Sequence, residues 1–238
     1  MKLLAIDIGN TTINSGLFEN KKLKIKRKIA TEKFKRIPFG DYNDVIIASV
    51  VPKATKKIIR LLKIKPIILD SKNIPIKIKV KSPQMVGSDR LVNAFAAKEL
   101  YGVPAVVVDL GTATTFDVVS KNDEYIGGII APGIKISAES LYEKTAKLPN
   151  IKPEVPKNVI GKNTKEAILS GIFYGHLGLI KEVIEKVKSE KLKVKNLKVI
   201  LTGGYATFFS KHFPDFIVDR DITLKGLEII FSKIRRLV

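Results

Sequence analysis

Asp7-Ile-Gly-Asn-Thr-Thr12 recurs in altered form as Asp109-Leu-Gly-Thr-Ala-Thr-Thr115, and each copy is flanked by apolar runs. Leu3 to Ile6 leads into the first and Ile13 to Phe18 leaves it; Ala105 to Val108 and Phe116 to Val119 flank the second. An apolar run, a tight polar turn and a returning run read as two strands joined by a hairpin. A chain that builds this unit twice, with Asp, Gly and Thr in the same order, is expected to form two α/β halves facing each other across a cleft. The glycines let backbone approach a ligand closely. The turn amides, Asn and Thr side chains donate hydrogen bonds, and an aspartate holds a cation, so paired turns suit a polyphosphate and its metal.

The remaining pattern fits that plan. Strands are expected near 2–8, 13–19, 22–30, 44–51, 66–69 and 76–80, with helices near 53–64 and 88–101. Gly102-Val-Pro104 breaks the second helix, which places the boundary between an amino-terminal domain (1–102) and a carboxy-terminal domain (103–238). After it come strands near 105–109, 114–120, 124–130 and 199–202. Helices follow near 135–147, 164–188 and 224–237, the last free to pack back on the first domain. The three prolines between Pro149 and Asn158 mark a connector.

Composition narrows the function classes. Hydrophobic residues at 45% and charged residues at 28% fit a globular chain. No apolar stretch is expected to reach the ~20 residues of a bilayer span, and Asp7 falls too early for a signal-peptide core, so a cytoplasmic protein is expected. The absence of Cys excludes disulfides and thiolate chemistry, and His176 and His212 are too few for a histidine-rich metal site. The formal charge of +20 attracts anions, but the basic residues are overwhelmingly lysine rather than the arginine that reads nucleic acid. Lys22 to Ile25 alternates basic and apolar residues, as do Ile76 to Val80, which is the signature of a strand with one solvated face. Neither nucleic acid nor membrane is expected as a partner.

Other stations carry chemistry. Gly87-Ser-Asp-Arg90 opens a helix, with Ser88 or Asp89 as its cap. Arg90 opposes the helix dipole there, so it is read as a fork for a carboxylate or phosphate, with Asp89 accepting a hydroxyl proton. Gly127-Gly-Ile-Ile-Ala-Pro-Gly133 suits either close backbone approach or a tight connection. Thr164 reads as a helix cap, and Thr202-Gly-Gly-Tyr-Ala206 as a strand-to-helix turn of the kind that covers an adenine ring. No Gly-x-Gly-x-x-Gly follows a strand. Gly161-Lys-Asn-Thr164 fails as a P-loop because Pro156 stands where its first glycine belongs. His176, in an apolar helix, is read as core or interface.

In this order and over nearly the whole chain, these motifs resemble the type III pantothenate kinases of the sugar kinase, Hsp70 and actin superfamily. The resemblance implies two duplicated ribonuclease H-like domains with a cleft between them. It further implies ATP-dependent phosphorylation of the pantothenate hydroxyl to 4'-phosphopantothenate, the opening step of coenzyme A synthesis, by a homodimer using Mg²⁺ and a monovalent cation (K⁺ or NH4⁺). Carried over by residue, Asp7, Ile8, Gly9, Asn10, Thr11 and Thr12 hold the ATP phosphates and metal, and Thr112 also contacts ATP. Asp109 ligates the monovalent cation. Gly87, Ser88, Asp89 and Arg90 bind pantothenate, with Asp89 as catalytic base, and Thr164 completes the substrate site. One departure is the lack of a tyrosine near Val80, where members of the family often carry one.

An aspartate in a helix's first turn is expected to stay ionised and act as a weak base. Two alternatives share these motifs: a sister kinase acting on another small hydroxy acid or sugar, and a catalytically silent nucleotide-binding regulator using its positive charge on DNA.

Overall fold

The structure, a computed structural model, describes residues 1–236. Strands β1 (Lys2–Ile8), β2 (Thr12–Glu19), β3 (Lys22–Ala30), β4 (Asp44–Ser49) and β5 (Ile67–Leu69) form one sheet in the order β3-β2-β1-β4-β5. A second sheet is built from β6 (Lys77–Ile78), β7 (Ala105–Leu110), β8 (Ala113–Val119), β9 (Glu124–Pro132), β10 (Lys198–Thr202) and β11 (Ile217–Val218). Its order is β11-β10-β7-β8-β9-β6. Each sheet has an antiparallel three-strand meander and adds parallel strands on the far side of its first strand. This is the duplicated ribonuclease H-like plan.

Alternation along β1 and β7 positions the acids. Leu4, Ile6 and Ile8 face a core with Ile58 of helix α1 (Pro52–Ile59). Leu3 and Ala5 face the opposite way, toward helix α2 (Ser88–Tyr101), and Asp7 continues that inner row. In β7, Val106, Val108 and Leu110 face outward. Ala105 and Val107 face inward, and Asp109 continues their row. The two acids therefore end equivalent inner rows on opposite sheets.

Between those inner faces lie α2 and the last helix, α6 (Ile222–Ile234). They pack so closely that a Cβ at Gly226 would stand 2.8 Å from Val92 and 2.9 Å from Ala96. Helix α6 also packs on β1, β2 and β4 of the first sheet. The expected end of this helix at 237 lies outside the described residues. The short strand β6 crosses from the first part of the chain to pair with β9.

Helices α3 (Ile134–Glu143) and α4 (Thr164–Lys186) cover the outer face of the second sheet, and α4 runs on as a π-helical turn, Val187–Leu192. The expectation that no stretch is long enough for a bilayer is corrected here. The helical segment 164–192 contains a stretch long and apolar enough for a span by length and composition alone. Ile168, Leu169, Ile172, Phe173, Ile180 and Ile184 of this helix instead fill the second core. The cap is corrected too: Asn163, not Thr164, caps α4, its Oδ1 accepting the Glu166 amide at 3.0 Å. Helix α5 (Ala206–Phe209) follows the expected strand-to-helix turn at Thr202 to Ala206, whereas β11, too short to show a period, has no counterpart among the expected elements.

Candidate active site

A cleft of about 520 Å³ opens where the inner rows end. It is lined by Asp7, Gly9, Asn10 and Thr12 from the first turn, Asp109, Gly111, Thr112 and Ala113 from the second, and Asp89 and Arg90 from α2. The two turns meet: Thr112 Oγ1 donates to Thr11 Oγ1 at 2.9 Å. Each is a closed hairpin, with Gly9 N–H donating to the Thr12 carbonyl at 3.0 Å and Gly111 N–H to that of Ala113 at 3.1 Å. Thr31 pins the first turn, its Oγ1 donating to the Gly9 carbonyl at 2.7 Å.

Each acid has an amide partner. Asn14 lies beside Asp7 in the β1–β2 register, and its Nδ2 donates to Asp7 Oδ2 at 3.1 Å. Asn93 of α2 approaches Asp109 Oδ2 at 3.5 Å, while its own Oδ1 accepts from Thr223 of α6 at 2.7 Å. Burial raises Asp7 to about 7, assisted by the charge of Asp89. Burial likewise raises Asp109 to about 7, with Asp89 and Asp117 adding to it. Three carboxylates that repel one another in one cleft are stabilised by any cation that enters.

Asp89 stands in the first turn of α2. Its Oδ1 accepts the Arg90 amide at 2.8 Å, and Gly87, without a side chain, is the capping residue. Ser88 does not cap either. It is buried, and its Oγ accepts the Ser49 amide at 2.9 Å, tying α2 to β4. Burial pushes the Asp89 carboxyl up despite its hydrogen bonds. A carboxylate whose pKa is raised is a stronger base than an ordinary one.

Arg90 is anchored by a residue the sequence reading missed. Its Nε donates to Asp117 Oδ1 at 2.8 Å, and its Nη2 lies 2.7 Å from the same oxygen. Tyr125 donates to that oxygen at 3.0 Å and Thr115 to Oδ2 at 3.4 Å. Gly128 makes room for this group, since a Cβ there would collide with the Phe116 carbonyl and the guanidinium. Close approach, rather than a tight connection, is what that glycine provides. Asp117 was detectable: it is an acid inside an apolar strand, two positions beyond Thr115 and therefore on the same inner face.

Of the other expected residues, Ile8 is buried in the outer core of the first sheet. Thr164 is not brought to the cleft. It lines a separate apolar groove with Ile136, Leu141 and Gly171, against the outer side of the second sheet. His176 in α4 is buried, its ring nitrogens 2.8 Å and 3.1 Å from the Ile172 and Pro132 carbonyls, as a core residue should be. Asn14, Asn93, Lys28, Arg220 and Thr223 join the site without having been singled out.

Among the described residues no three acidic, histidine or cysteine groups cluster closely enough to hold a metal unaided. Mg²⁺ normally takes one or two carboxylates and completes its shell with phosphate and water. Asp7 and Asp109, half-buried at the cleft and raised in pKa, fit that shared mode and not an all-protein cage.

The profile for type III pantothenate kinase matches residues 3–186. The type III pantothenate kinase of Finegoldia magna is 42% identical over 254 residues, covering 96% of each chain. That of Agathobacter rectalis is 38% identical and covers 98% of each. The chain belongs to the type III pantothenate kinase family. Solved structures of lower identity share the fold. A Campylobacter jejuni protein assigned to the Baf family of transcriptional activators superposes with a TM-score of 0.64 at 22% identity, covering 98% of this chain and 99% of its own. MreB 5 of Spiroplasma citri, bound to AMPPNP, superposes at 0.53 with 11% identity, covering 99% and 97%. Both likenesses support the actin-like, duplicated architecture the motifs implied.

Proposed function

We propose that this family member phosphorylates the primary hydroxyl of pantothenate with ATP, giving 4'-phosphopantothenate for coenzyme A synthesis. The observation that carries the reading is the meeting of the two acidic turns beside Asp89 and Arg90, in a chain at 42% identity to a pantothenate kinase. Phosphoryl transfer has a loose transition state, so catalysis rests on positioning and charge neutralisation. The amides and hydroxyls from Gly9 to Thr12, together with Thr112, cradle the phosphates. Asp89 accepts the hydroxyl proton as the oxygen attacks, and its raised pKa supports that role. Arg90, fixed by Asp117 through Nε and Nη2, turns its remaining donors to the acceptor's carboxylate or to the transferring group.

Asp7 would hold Mg²⁺ together with the phosphates, and Asp109 a monovalent cation. The divalent ion supplies charge neutralisation across the transferring group. The turn Thr202 to Ala206, entering the cleft beside Asp109, suits the nucleotide's base.

The working unit is a homodimer in the cytoplasm. Ile136, Leu141 and Tyr142 are exposed around the groove that holds Thr164, which is an apolar face of the kind that subunits bury. A second copy seated there would bring Thr164 to a neighbouring acceptor site, which accounts for its distance from its own cleft. Sedimentation at the monomer mass would remove the dimer. For the reaction, ADP release across a panel of small hydroxy acids and sugars is expected with pantothenate above all. Faster release with another acceptor would reassign the substrate.

A further inference from the structure

The basic run in β3 has a face that is not simply solvated. Strand register aligns Asp7 of β1, Asn14 of β2 and Lys28 of β3 in one cross-strand row. Residues paired in this way project from the same face, so Lys28 shares the inner face that carries Asp7 into the cleft. It lines the cleft, and its Nζ lies 3.7 Å from where a Cβ of Gly204 would stand, on the turn that follows β10 in the opposite half. Lys28 thus reaches from the first sheet across to the second.

Its neighbours clarify its role. Lys26, two positions earlier on the same face, is neutralised by an ion pair with Asp221 at the start of α6. Lys28 has no ion-pair partner among the described residues. The matching row of the second sheet runs Asp109, Thr115, Ile130. Where the first half carries an unpaired ammonium, the second carries an exposed isoleucine, 63% accessible. The duplication has kept the acid and a polar middle residue in both halves but placed a cation in one.

We infer that Lys28 is a substrate-contacting cation that pairs with the terminal phosphates of the nucleotide, held over the first turn beside Asp7. A lysine is suited to this as a compact point charge on a flexible stem able to follow the phosphate through transfer. Its anchor is its position in the row, with Asn14 bonded to Asp7 and Lys28 next across. The inference rests on the kinase reading above, and its test separates the two.

The full-length protein with Lys28→Met and with Lys28→Arg is titrated with ATP, ADP and AMP in the presence of Mg²⁺, and assayed in steady state. A charge-assisted hydrogen bond is worth roughly 1.5–3 kcal/mol, or about 10- to 150-fold. Lys28→Met is therefore expected to lose about that factor in ATP affinity and in kcat/KM for ATP. AMP affinity and the KM for pantothenate should stay within about twofold, and Lys28→Arg should recover most of the loss. The thermal midpoint should move little, because the side chain is exposed and its charge acts on Asp7 and Asp109 without an ion pair. Unchanged ATP affinity in Lys28→Met, or equal losses of ATP and AMP, overturns the inference. A wild-type protein that binds ATP but phosphorylates nothing overturns the kinase reading and leaves the nucleotide comparison standing.

Discussion

Replacing Asp117 with asparagine should damage stability and acceptor binding together. The Asp117 side chain is 0% exposed and that of Arg90 16%. Arg90 Nε at 2.8 Å and Tyr125 Oη at 3.0 Å both donate to Oδ1. Asparagine keeps the shape and an acceptor oxygen but removes the charge that compensates the guanidinium. Breaking a buried pair by deleting one charge costs about 3–5 kcal/mol. Because Arg90 keeps some contact with solvent, the lower end, about 3 kcal/mol, is the expected loss. For a chain of this size about 1 kcal/mol moves the melting midpoint by roughly 2–4 °C, so the midpoint should fall by about 6–12 °C. Tyr125→Phe removes one hydrogen bond to a charged group and should cost about 1.5–3 kcal/mol. Urea unfolding followed by circular dichroism reads both. Steady-state kinetics should show the pantothenate KM rising in Asp117→Asn while the ATP KM stays close to wild type, since Arg90 and not the turns is disturbed. A midpoint and acceptor KM indistinguishable from wild type would refute the reasoning, because Arg90 would then not depend on Asp117 for its place.

Two further outcomes follow from the same geometry. Asp7 and Asp109 have folded-state pKa values raised to about 7, chiefly by burial. The folded protein thus binds more protons than the unfolded chain between about pH 4 and 7, and stability must fall as pH rises through that window. Unfolding free energy of the nucleotide-free protein should be lower at pH 8 than at pH 5, with Mg²⁺ and ATP restoring it at pH 8; a rise from pH 5 to 8 would contradict the assignment. Gly128→Ala should destabilise by more than about 2 kcal/mol, as overpacking against backbone and the guanidinium cannot relax cheaply; a chemical denaturation midpoint equal to wild type would contradict that close packing.

Much of this was legible in the sequence because the paired turns combine a period-2 apolar pattern with side chains of obvious chemistry. The alternation of Leu3, Ala5 and Asp7 against Leu4, Ile6 and Ile8 fixes which face carries the acid as soon as the strand is recognised. Helix α2 was equally clear, since Ser88 to Tyr101 is bounded by Gly87 and Gly102. What escaped depends on register between strands or on contacts between distant segments. Lys28 reads as one of many surface lysines until β3 is paired with β2. Asp117 reads as a strand residue until Arg90 is laid against it. Asn93 gains its role through Thr223 of α6, which is far along the chain and carries no local signal. Thr164 shows the converse: its motif is plain, yet its own fold puts it in another groove. The helix 164–192 was misjudged for a related reason, because burial against a sheet and burial in lipid ask for the same side chains.

The claim on which the rest depends is that one carboxylate at the mouth of α2 takes the proton from pantothenate while the joined turns present ATP. Mass spectrometry of the products formed with ATP, Mg²⁺, K⁺ and pantothenate, comparing the wild type with Asp89→Asn, tests it directly. Asparagine retains an oxygen to accept the Arg90 amide, so the variant should fold, and its yield of 4'-phosphopantothenate per unit time should drop by about 100-fold or more. Undiminished product from the variant, or none from the wild type, would contradict the account.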